Sequence, residues 1–487
     1  MTQGRFRALL MSILLLGLAL APGCDRPDAT RAAATDVEGD GSDGVQEIGP
    51  PSGGPAGRLN LLLIAVDTLR ADHLGAHGYE RPTSPHIDRF FGEAIVFDDA
   101  HSTSSWTFPA FASLMTSTHS STNRCWQFES QLDPSFTTLA EVLRDAGYHT
   151  AAITSHTFLG TSYGLGQGFE DYDESLIRAF SRSHFAISSP RVTKRALAFL
   201  NRQANMKERR PWFLWVHYFD PHHVYNEHPG VTEEFGREAV DLYDGEIAFT
   251  DAHIGRLLDR LSNTALIDDT VVVILADHGE EFGDHGRTYH GQTLFREVER
   301  VPLAIRVPGL TPRRVTDTVS LVDFMPTVLD LLQIEAPKTP MAGRSLLGLM
   351  RGETMASSGA LLESRLRLGR GRKLEAYVTS RWKLIIEMPR RAMQKPNDER
   401  PAETKVMLFD RVLDPGETRD VAAQHGDVVA KLMRRLDGSL ASARNDASFF
   451  VAAPAQDLSE ETIDALRALG YVGDPTEHDA KDGSPDE

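Results

Sequence analysis

The sequence contains almost no cysteine, since only Cys24 and Cys125 occur among its 487 residues. Because Cys24 ends an N-terminal leader, a disulfide framework is excluded, and Cys125 is expected to be a lone structural thiol. Basic residues are outnumbered as well, 51 against 69 acidic ones, which gives a net charge of −18. This excess of negative charge argues against nucleic acid as a partner.

A long apolar run is also missing. The apolar stretch at residues 8–21 is too short to span a membrane as a helix. It follows Arg5 and Arg7 and ends in LALAPGC, so residues 1–24 resemble a bacterial lipoprotein signal peptide that is cut before Cys24, which would then carry lipid. Because Pro22 is unusual there, ordinary signal cleavage or a retained anchor stays open. We expect an exported, lipid-anchored protein of the bacterial cell envelope.

Polar segments border the part of the chain that is expected to fold. Residues 25–57 are rich in Gly, Pro, Ala, Ser and Asp and predict a flexible tether, and residues 473–487 predict a disordered acidic tail. Between them the composition is globular, with 41% hydrophobic and 25% charged residues in the whole chain. We expect a catalytic domain at residues 58–350 and a C-terminal subdomain at residues 351–472.

Apolar segments that alternate with amphipathic ones predict a doubly wound, mainly parallel α/β sheet. The segments LNLLLIAV, PWFLWVHYF and VVVILA are typical of strands buried on both faces. Helices are predicted at residues 192–202, 242–261 and 426–443. After about residue 350, YVTSRWKLIIEM and KVMLFDRVLD predict antiparallel strands of a small α+β subdomain.

Three of the predicted strands end in residues that bind metals. Asp67 follows the first, His222 lies in a polar cluster after the second, and Asp277 and His278 follow the third. A predicted helix begins at Thr107. Because the carboxyl ends of such strands share one edge of the sheet, these side chains are expected to meet. Two Asp and one His would suit a divalent cation, with the hydroxyl as a further ligand or a nucleophile.

Each of these residues also has a purely structural explanation. Asp67 and Thr107 could cap the helices that follow them. His222, His285 and His290 could be surface loop residues. The convergence favours a site, because several coincidental caps would have to occupy equivalent strand ends.

Seven segments, taken in order, resemble the sulfatase family of the alkaline phosphatase superfamily. They are AVDTLRADHLGAHGY, WTFPAFASLMTS, FLWVHYFDPH, YDGEIAFTDAHIGRLLDRL, ADHGEEFGDHG, YHGQTLFREVERVPLAIRVPG and LRALGYVG. The resemblance covers about residues 58–472. It implies an alkaline phosphatase-like fold and ester hydrolysis, without indicating the substrate.

The resemblance also implies roles for individual residues. Asp67, Asp277 and His278 would hold one divalent cation beside Thr107, the candidate nucleophile.

Four histidines complete the expected site. His290 would lie over the transferred group, and His222 would act near the leaving group. His156 and His285 are further candidates for substrate binding. Such groups would offset charge that develops on a sulfuryl or phosphoryl group.

Three departures from the family pattern matter. Sulfatases convert a Cys or Ser in C-x-P-S-R to formylglycine, whereas this chain has Thr107 there, so no formylglycine is expected. The arginine of that motif is Phe111. The usual pair of acids after the first strand is Asp67 and Thr68, which weakens the case for calcium relative to manganese, magnesium or zinc.

The sequence therefore supports three hypotheses. The first is a metal-dependent hydrolase of sulfate, phosphate or phosphonate esters, acting on a small molecule, a glycan or a lipid headgroup. The second is a phospho-headgroup transferase with a phosphothreonine intermediate, because Thr at this position resembles lipid-headgroup phosphotransferases. Those enzymes normally follow several membrane spans, which this sequence lacks. The third is an inactive sulfatase-like binding protein.

Overall fold

The computed structural model describes residues 58–180, 187–207, 209–365, 372–389, 392 and 400–468. The predicted signal peptide with Cys24, the tether and the acidic tail lie outside these residues. Within the described ranges, no helix is both long and apolar enough to cross a membrane.

The described residues form fourteen strands. In chain order they are β1 (Asn60–Val66), β2 (Ile95–His101), β3 (His149–Ile153), β4 (Asp171–Asp173), β5 (Trp212–Tyr218), β6 (Thr270–Ala276), β7 (Glu281–Phe282), β8 (Thr288–Tyr289), β9 (Leu303–Arg306), β10 (Arg313–Ser320), β11 (Ala360–Ser364), β12 (Arg372–Val378), β13 (Trp382–Pro389) and β14 (Lys405–Asp410).

Twelve α-helices occur in the same part of the chain. They are α1 (Pro85–Gly92), α2 (Thr107–Thr116), α3 (Ser120–Asn123), α4 (Leu139–Asp145), α5 (Ser175–Phe180), α6 (Ser189–Asn205), α7 (Ala239–Ser262), α8 (Arg296–Glu299), α9 (Phe324–Leu331), α10 (Leu347–Arg351), α11 (Gly426–Asp446) and α12 (Glu460–Ala468). The helices predicted at residues 192–202, 242–261 and 426–443 correspond to α6, α7 and α11, each slightly longer than expected, and the helix predicted to begin at Thr107 is α2.

The central sheet has eight strands in the order β10-β2-β9-β6-β1-β5-β3-β4. Every pairing is parallel except the two made by β9, which runs antiparallel to β2 and β6. The prediction of a doubly wound, mainly parallel sheet is confirmed. Strand β1 lies between β5 and β6, and all residues of these three strands are buried. Their carboxyl ends therefore deliver polar side chains to one edge of the sheet.

The second sheet is antiparallel, in the order β11-β12-β13-β14. Helix α11 packs on it through Leu432, Leu436 and Leu440, which share one face because they recur every four residues. The predicted small α+β subdomain at the C-terminal side is confirmed.

Two strand predictions in this subdomain were wrong in extent. The segment YVTSRWKLIIEM forms parts of two strands, because Thr379 and Trp382 close a tight turn with hydrogen bonds of 2.8 and 3.0 Å. Strand β14 ends at Asp410 rather than continuing, because that carboxylate accepts the backbone N–H groups of Val412 and Leu413.

A buried ionic network joins the two sheets. Lys383 on β13 is fully buried and donates to Glu299 at 2.7 Å and to Glu417 at 2.8 Å. His101, at the end of β2, also contacts the Glu299 carboxylate. Burial alone would raise the pKa of Glu299, but His101 and Lys383 bring it down to about 2. The network stabilises the contact between the sheets only while every charge in it is paired.

We expect Lys383→Met to lower the free energy of unfolding by about 3–5 kcal/mol, because it leaves buried carboxylates without their cation. Chemical denaturation at pH 7 measures this. The pKa of Glu299 falls from 4.5 to about 2 on folding. The stability that the ionised Glu299 contributes to the unchanged protein is therefore complete above pH 4.5 and is lost as the pH falls toward 2. Lys431→Met, on the exposed face of α11, is the control. Equal stability of the two variants would contradict the assignment.

Candidate active site

Asp67, Asp277 and His278 come together where β1 and β6 end. One ligand atom of each lies within 4.8 Å of the other two, and no other group of three or more His, Cys, Asp or Glu in the described ranges does so. His278 Nε2 is 3.5 Å from Asp67 Oδ1 and 3.4 Å from Asp277 Oδ2. All three side chains are buried. The predicted ligand set is therefore assembled.

The hydrogen bonds of His278 define which ring nitrogen faces this cluster. Its Nδ1 lies 2.9 Å from the Gly279 carbonyl oxygen, which can only accept, so Nδ1 carries the proton. A neutral ring then presents the lone pair of Nε2 to the carboxylates. Gly279 is required here because a Cβ atom would lie 2.0 Å from the Glu297 carbonyl oxygen.

The two carboxylates lack the partners that buried charges normally have. Neither oxygen of Asp67, nor Oδ2 of Asp277, accepts a hydrogen bond from the described residues. Burial, together with the nearby charges of Asp277 and Glu280, raises the pKa of Asp67 well above its ordinary value. Burial raises the pKa of Asp277 to about 8. A divalent cation would satisfy these oxygens and reverse both shifts, so the residues fit a metal site.

Thr107 is the first residue of α2 and is fully buried. Its Oγ1 lies 3.3 Å from His278 Nε2, so the hydroxyl borders the cluster. The helix N-terminus behind it presents backbone N–H groups, which favour an anion at this point. This arrangement places a buried hydroxyl, a candidate cation site and a helix N-terminus together.

Three predicted histidines form a second layer of the same site. The ring centroid of His290 lies 4.6 Å from that of His278 and 4.9 Å from that of His222. His156 lies 5.4 Å from His222, and its Nδ1 accepts the Phe158 backbone N–H at 3.0 Å. A neutral His156 therefore carries its proton on Nε2, as a donor.

Glu280, which the sequence did not single out, positions His290. Its Oε1 lies 2.9 Å from His290 Nδ1, and its Oε2 accepts the Tyr225 hydroxyl at 3.0 Å. Burial raises the pKa of Glu280 to about 8 and lowers that of His290 to about 3. The short contact requires a proton between the two groups. In the sequence, Glu280 could have been recognised as a site residue by its position two residues after His278.

His217 also escaped the sequence analysis. It lies within β5, is fully buried, and its Nε2 is 3.5 Å from Asp67 Oδ2. Burial, with the nearby His278, lowers the pKa of His217 to about 3. The feature of the sequence that could have identified His217 is that it is an ionisable residue inside an otherwise apolar predicted strand.

Two polar residues near the predicted site have structural roles instead. His285 uses both ring nitrogens, one with the Glu297 carboxylate at 2.6 Å and one with the Glu417 carbonyl oxygen at 3.1 Å. With both ring nitrogens engaged, His285 holds its loop against the C-terminal subdomain. The expected contact of His285 with substrate is not supported by this geometry. The Asp220 carboxylate accepts the backbone N–H groups of Ser188 and Ser189 and thus caps α6.

Comparison with known proteins places this geometry in a family. The family model described as Sulfatase matches residues 59–334, which is more than half of the chain. The chain belongs to the sulfatase family. This sulfatase is therefore a hydrolase of sulfuric or phosphoric esters, and its alkaline phosphatase-like fold agrees with the family.

Individual relatives are distant. The sulfatase is 24% identical over 431 residues to the uncharacterized sulfatase YidJ of Escherichia coli K12, covering 75% of this chain and 83% of that one. It is 24% identical over 370 residues to a choline-sulfatase of Rhizobium meliloti 1021, covering 61% and 72%. A phosphonate monoester hydrolase of Agrobacterium radiobacter has the same fold, with a TM-score of 0.65, 21% identity, and coverage of 79% and 96%.

We expect Asp277→Asn to leave the chelator-treated sulfatase at least as stable as the unchanged protein, because it removes one of two facing buried carboxylates. Added Zn²⁺ or Mn²⁺ should raise the melting temperature of the unchanged protein far more than that of the variant. Thermal unfolding with chelator and with each metal measures both effects. Asp268→Asn, an exposed position just before the other end of β6, is the control. Equal metal-induced shifts in all three proteins would contradict the site.

Proposed function

We propose that this sulfatase is a metal-dependent hydrolase of sulfate, phosphate or phosphonate esters in which Thr107 is the nucleophile. The observation that carries the proposal is the position of Thr107 Oγ1, 3.3 Å from His278 Nε2 at the start of α2. Buried carboxylate oxygens of Asp67 and Asp277, which accept no hydrogen bond from the described residues, lie 3.5 and 3.4 Å from the same ring nitrogen.

A threonine hydroxyl is a poor nucleophile at neutral pH unless it is activated. A divalent cation held by Asp67, Asp277 and His278 would lower the pKa of this hydroxyl. The chain supplies the positioning: His278 is fixed by Gly279, and α2 holds the backbone of Thr107. Burial of the whole cluster excludes bulk water and so strengthens each electrostatic contact.

The remaining groups bind the anion and release the alcohol. The N-terminus of α2 and His290 would contact the equatorial oxygens, where negative charge accumulates. Thr107 Oγ1, whose proton would be lost to solvent as the cation lowers its pKa, would form its bond to phosphorus or sulfur while the bond to the leaving oxygen breaks. His222, protonated once the anion is bound, would give that oxygen its proton. Water would then cleave the Thr107 ester and release the inorganic anion or phosphonate.

The chemistry of that intermediate favours phosphoryl or phosphonyl substrates. A threonine phosphoester can be cleaved by water in such a site. A threonine sulfate lacks the easy breakdown that a formylglycine hydrate provides. Sulfate esters remain the substrates named for most of the relatives, so the assay must include both.

We expect Thr107→Ala to lose phosphoester or phosphonate hydrolysis by about 10³-fold or more, whereas Thr107→Ser keeps measurable turnover. Aryl phosphate, aryl phosphonate and aryl sulfate would be compared over a panel of divalent metals. Thr116→Ala changes a buried threonine at the far end of the same helix and is the control. Turnover that survives Thr107→Ala would rule out the nucleophile. If the aryl alcohol is released in one burst and further release requires an added alcohol acceptor, the protein is a transferase.

We further propose that the protein is attached to a bacterial envelope membrane through lipid on Cys24, on the basis of its leader. Cys24→Ser should lose incorporation of labelled palmitate and partition into the aqueous phase of a detergent extraction. Cys125→Ser, at the buried thiol, should keep the label. Labelled Cys24→Ser protein would contradict the anchor.

A further inference from the structure

A cavity of about 520 Å³ lies next to the residues described for the site. Its walls come from three segments, within residues 223–225 after β5, residues 238–242 at the start of α7 and residues 281–289 around β7 and β8. We call it the aromatic cavity, because two tyrosines and one phenylalanine line it. Sites that bind small molecules in proteins have this size.

Two segments of the chain run from the site into the aromatic cavity. His222 and His290 belong to the site, and their ring centroids lie 4.9 Å apart. Their sequence neighbours His223 and Tyr289 line the aromatic cavity, with ring centroids 4.3 Å apart. The aromatic cavity therefore begins where the pair of site histidines ends.

Tyr225 connects the two places through one side chain. Its hydroxyl donates to Glu280 Oε2 at 3.0 Å, and Glu280 Oε1 lies 2.9 Å from His290 Nδ1. Tyr225 also lines the aromatic cavity, where its ring centroid lies 5.7 Å from that of Phe282. A group bound in the aromatic cavity thus contacts a residue that is hydrogen-bonded to the site.

The side on which the alcohol half of an ester lies follows from the proposed function. Thr107 is fully buried, so the reacting phosphorus or sulfur atom must enter the site to reach it. His222 is proposed to give the leaving oxygen its proton, which places that oxygen beside His222. The rest of the alcohol then extends from His222 toward the aromatic cavity.

The walls of the aromatic cavity suit an apolar group. The rings of Tyr225, Phe282 and Tyr289 form part of them, and Val240 and Leu242 contribute aliphatic side chains. Transfer of apolar surface from water to such walls is favourable, and aromatic rings offer large faces for stacking. An alcohol with an aromatic ring or a bulky alkyl group would gain most from this contact.

The charged residues of the aromatic cavity disfavour a second anionic group. Glu238 and Glu281 line it, and its described lining contains no Lys or Arg. A carboxylate or a further sulfate on the alcohol would lose water here without gaining a cationic partner. A polysulfated glycan would therefore be a poor occupant.

The backbone of Tyr289 gives an independent indication of a ligand. Its φ is +69°, in the left-handed region that a bulky residue adopts only at a cost. Burial of the ring does not repay this cost, because Tyr289 is 45% exposed. Such conformations cluster at ligand sites, where the side chain has to be held in a particular place.

We infer that the aromatic cavity binds the alcohol half of the ester and selects a bulky aromatic or alkyl alcohol that carries no second anionic group. The inference rests on the proposed ester hydrolysis and names the substrate class of that same site.

Three aryl esters test the inference with the metal-loaded full-length protein. They are the esters of phenol, 2-naphthol and 3-hydroxybenzoic acid with whichever of phosphate, phosphonate or sulfate is hydrolysed. The three alcohols have similar acidity, so differences in kcat/KM report how the alcohol is bound. The 2-naphthyl ester should exceed the phenyl ester by about 10-fold or more, since even one methylene in an apolar pocket is worth that much. The 3-carboxyphenyl ester should fall below the phenyl ester.

Two variants locate the effect in the aromatic cavity. Tyr289→Ala should lower kcat/KM for the 2-naphthyl ester by about 10-fold, mainly through KM, and that for the phenyl ester far less. Phe449→Ala is the matched control, because it removes a ring that is 67% exposed and outside this lining. Thr288→Lys adds a cation at an exposed lining position and should raise kcat/KM for the 3-carboxyphenyl ester relative to the phenyl ester.

The outcomes separate this inference from the proposed function. Equal kcat/KM for the phenyl and 2-naphthyl esters, equal effects of Tyr289→Ala and Phe449→Ala, or an unchanged order of the esters in Thr288→Lys would overturn it and leave ester hydrolysis standing. If no ester is hydrolysed, the proposed function fails, and the binding of 2-naphthol, followed by its fluorescence, tests the aromatic cavity alone. Binding that Tyr289→Ala weakens and Phe449→Ala does not would support the inference. Absent binding, or equal binding in both variants, would overturn it.

Discussion

The burial of two carboxylates at the ends of neighbouring parallel strands is the constraint on which the rest of the site depends. The register of β1 with β6 brings Asp67 and Asp277 to the same edge of the sheet, where bulk water does not reach them. Like charges in such a place are costly unless a cation or protons neutralise them. The proton on Nδ1 of His278 and the position of Thr107 both agree with a cation there. The fold thus buries negative charge that either a cation or protons must neutralise.

The three departures from the sulfatase pattern lie around this same edge of the sheet, and each replaces a charged or reactive group by an uncharged, less reactive one. Thr107 replaces the residue that becomes an aldehyde, Phe111 replaces a guanidinium, and Thr68 replaces a carboxylate. Together they remove charge and intrinsic reactivity from the side chains, and the proposed function assigns more of both to a cation. The candidate site is nevertheless assembled and buried.

Sequence patterns predicted the parts of the molecule that depend on local periodicity and on strand ends. Buried parallel strands read as continuous apolar runs, so Asp67, Asp277 and His278 were visible as the first polar residues after them. His217 was not, because it lies inside such a run, and only its contact with Asp67 in the folded chain reveals its place beside the site. His285 shares a Gly-rich loop with His290, and nothing in the spacing reveals that its ring is held by Glu297 and Glu417. Local sequence patterns contain no information about contacts between residues that are far apart in the sequence.

The most direct test of the account is to identify the residue that becomes covalently modified during turnover. The metal-loaded protein would be mixed with aryl phosphate or aryl phosphonate, quenched in acid within the first turnover, and mapped by peptide mass spectrometry. The account predicts a phosphoryl or phosphonyl group on Thr107 that disappears when substrate is exhausted. Turnover with Thr107 unmodified at every quench time, or with the group on another side chain, would contradict it.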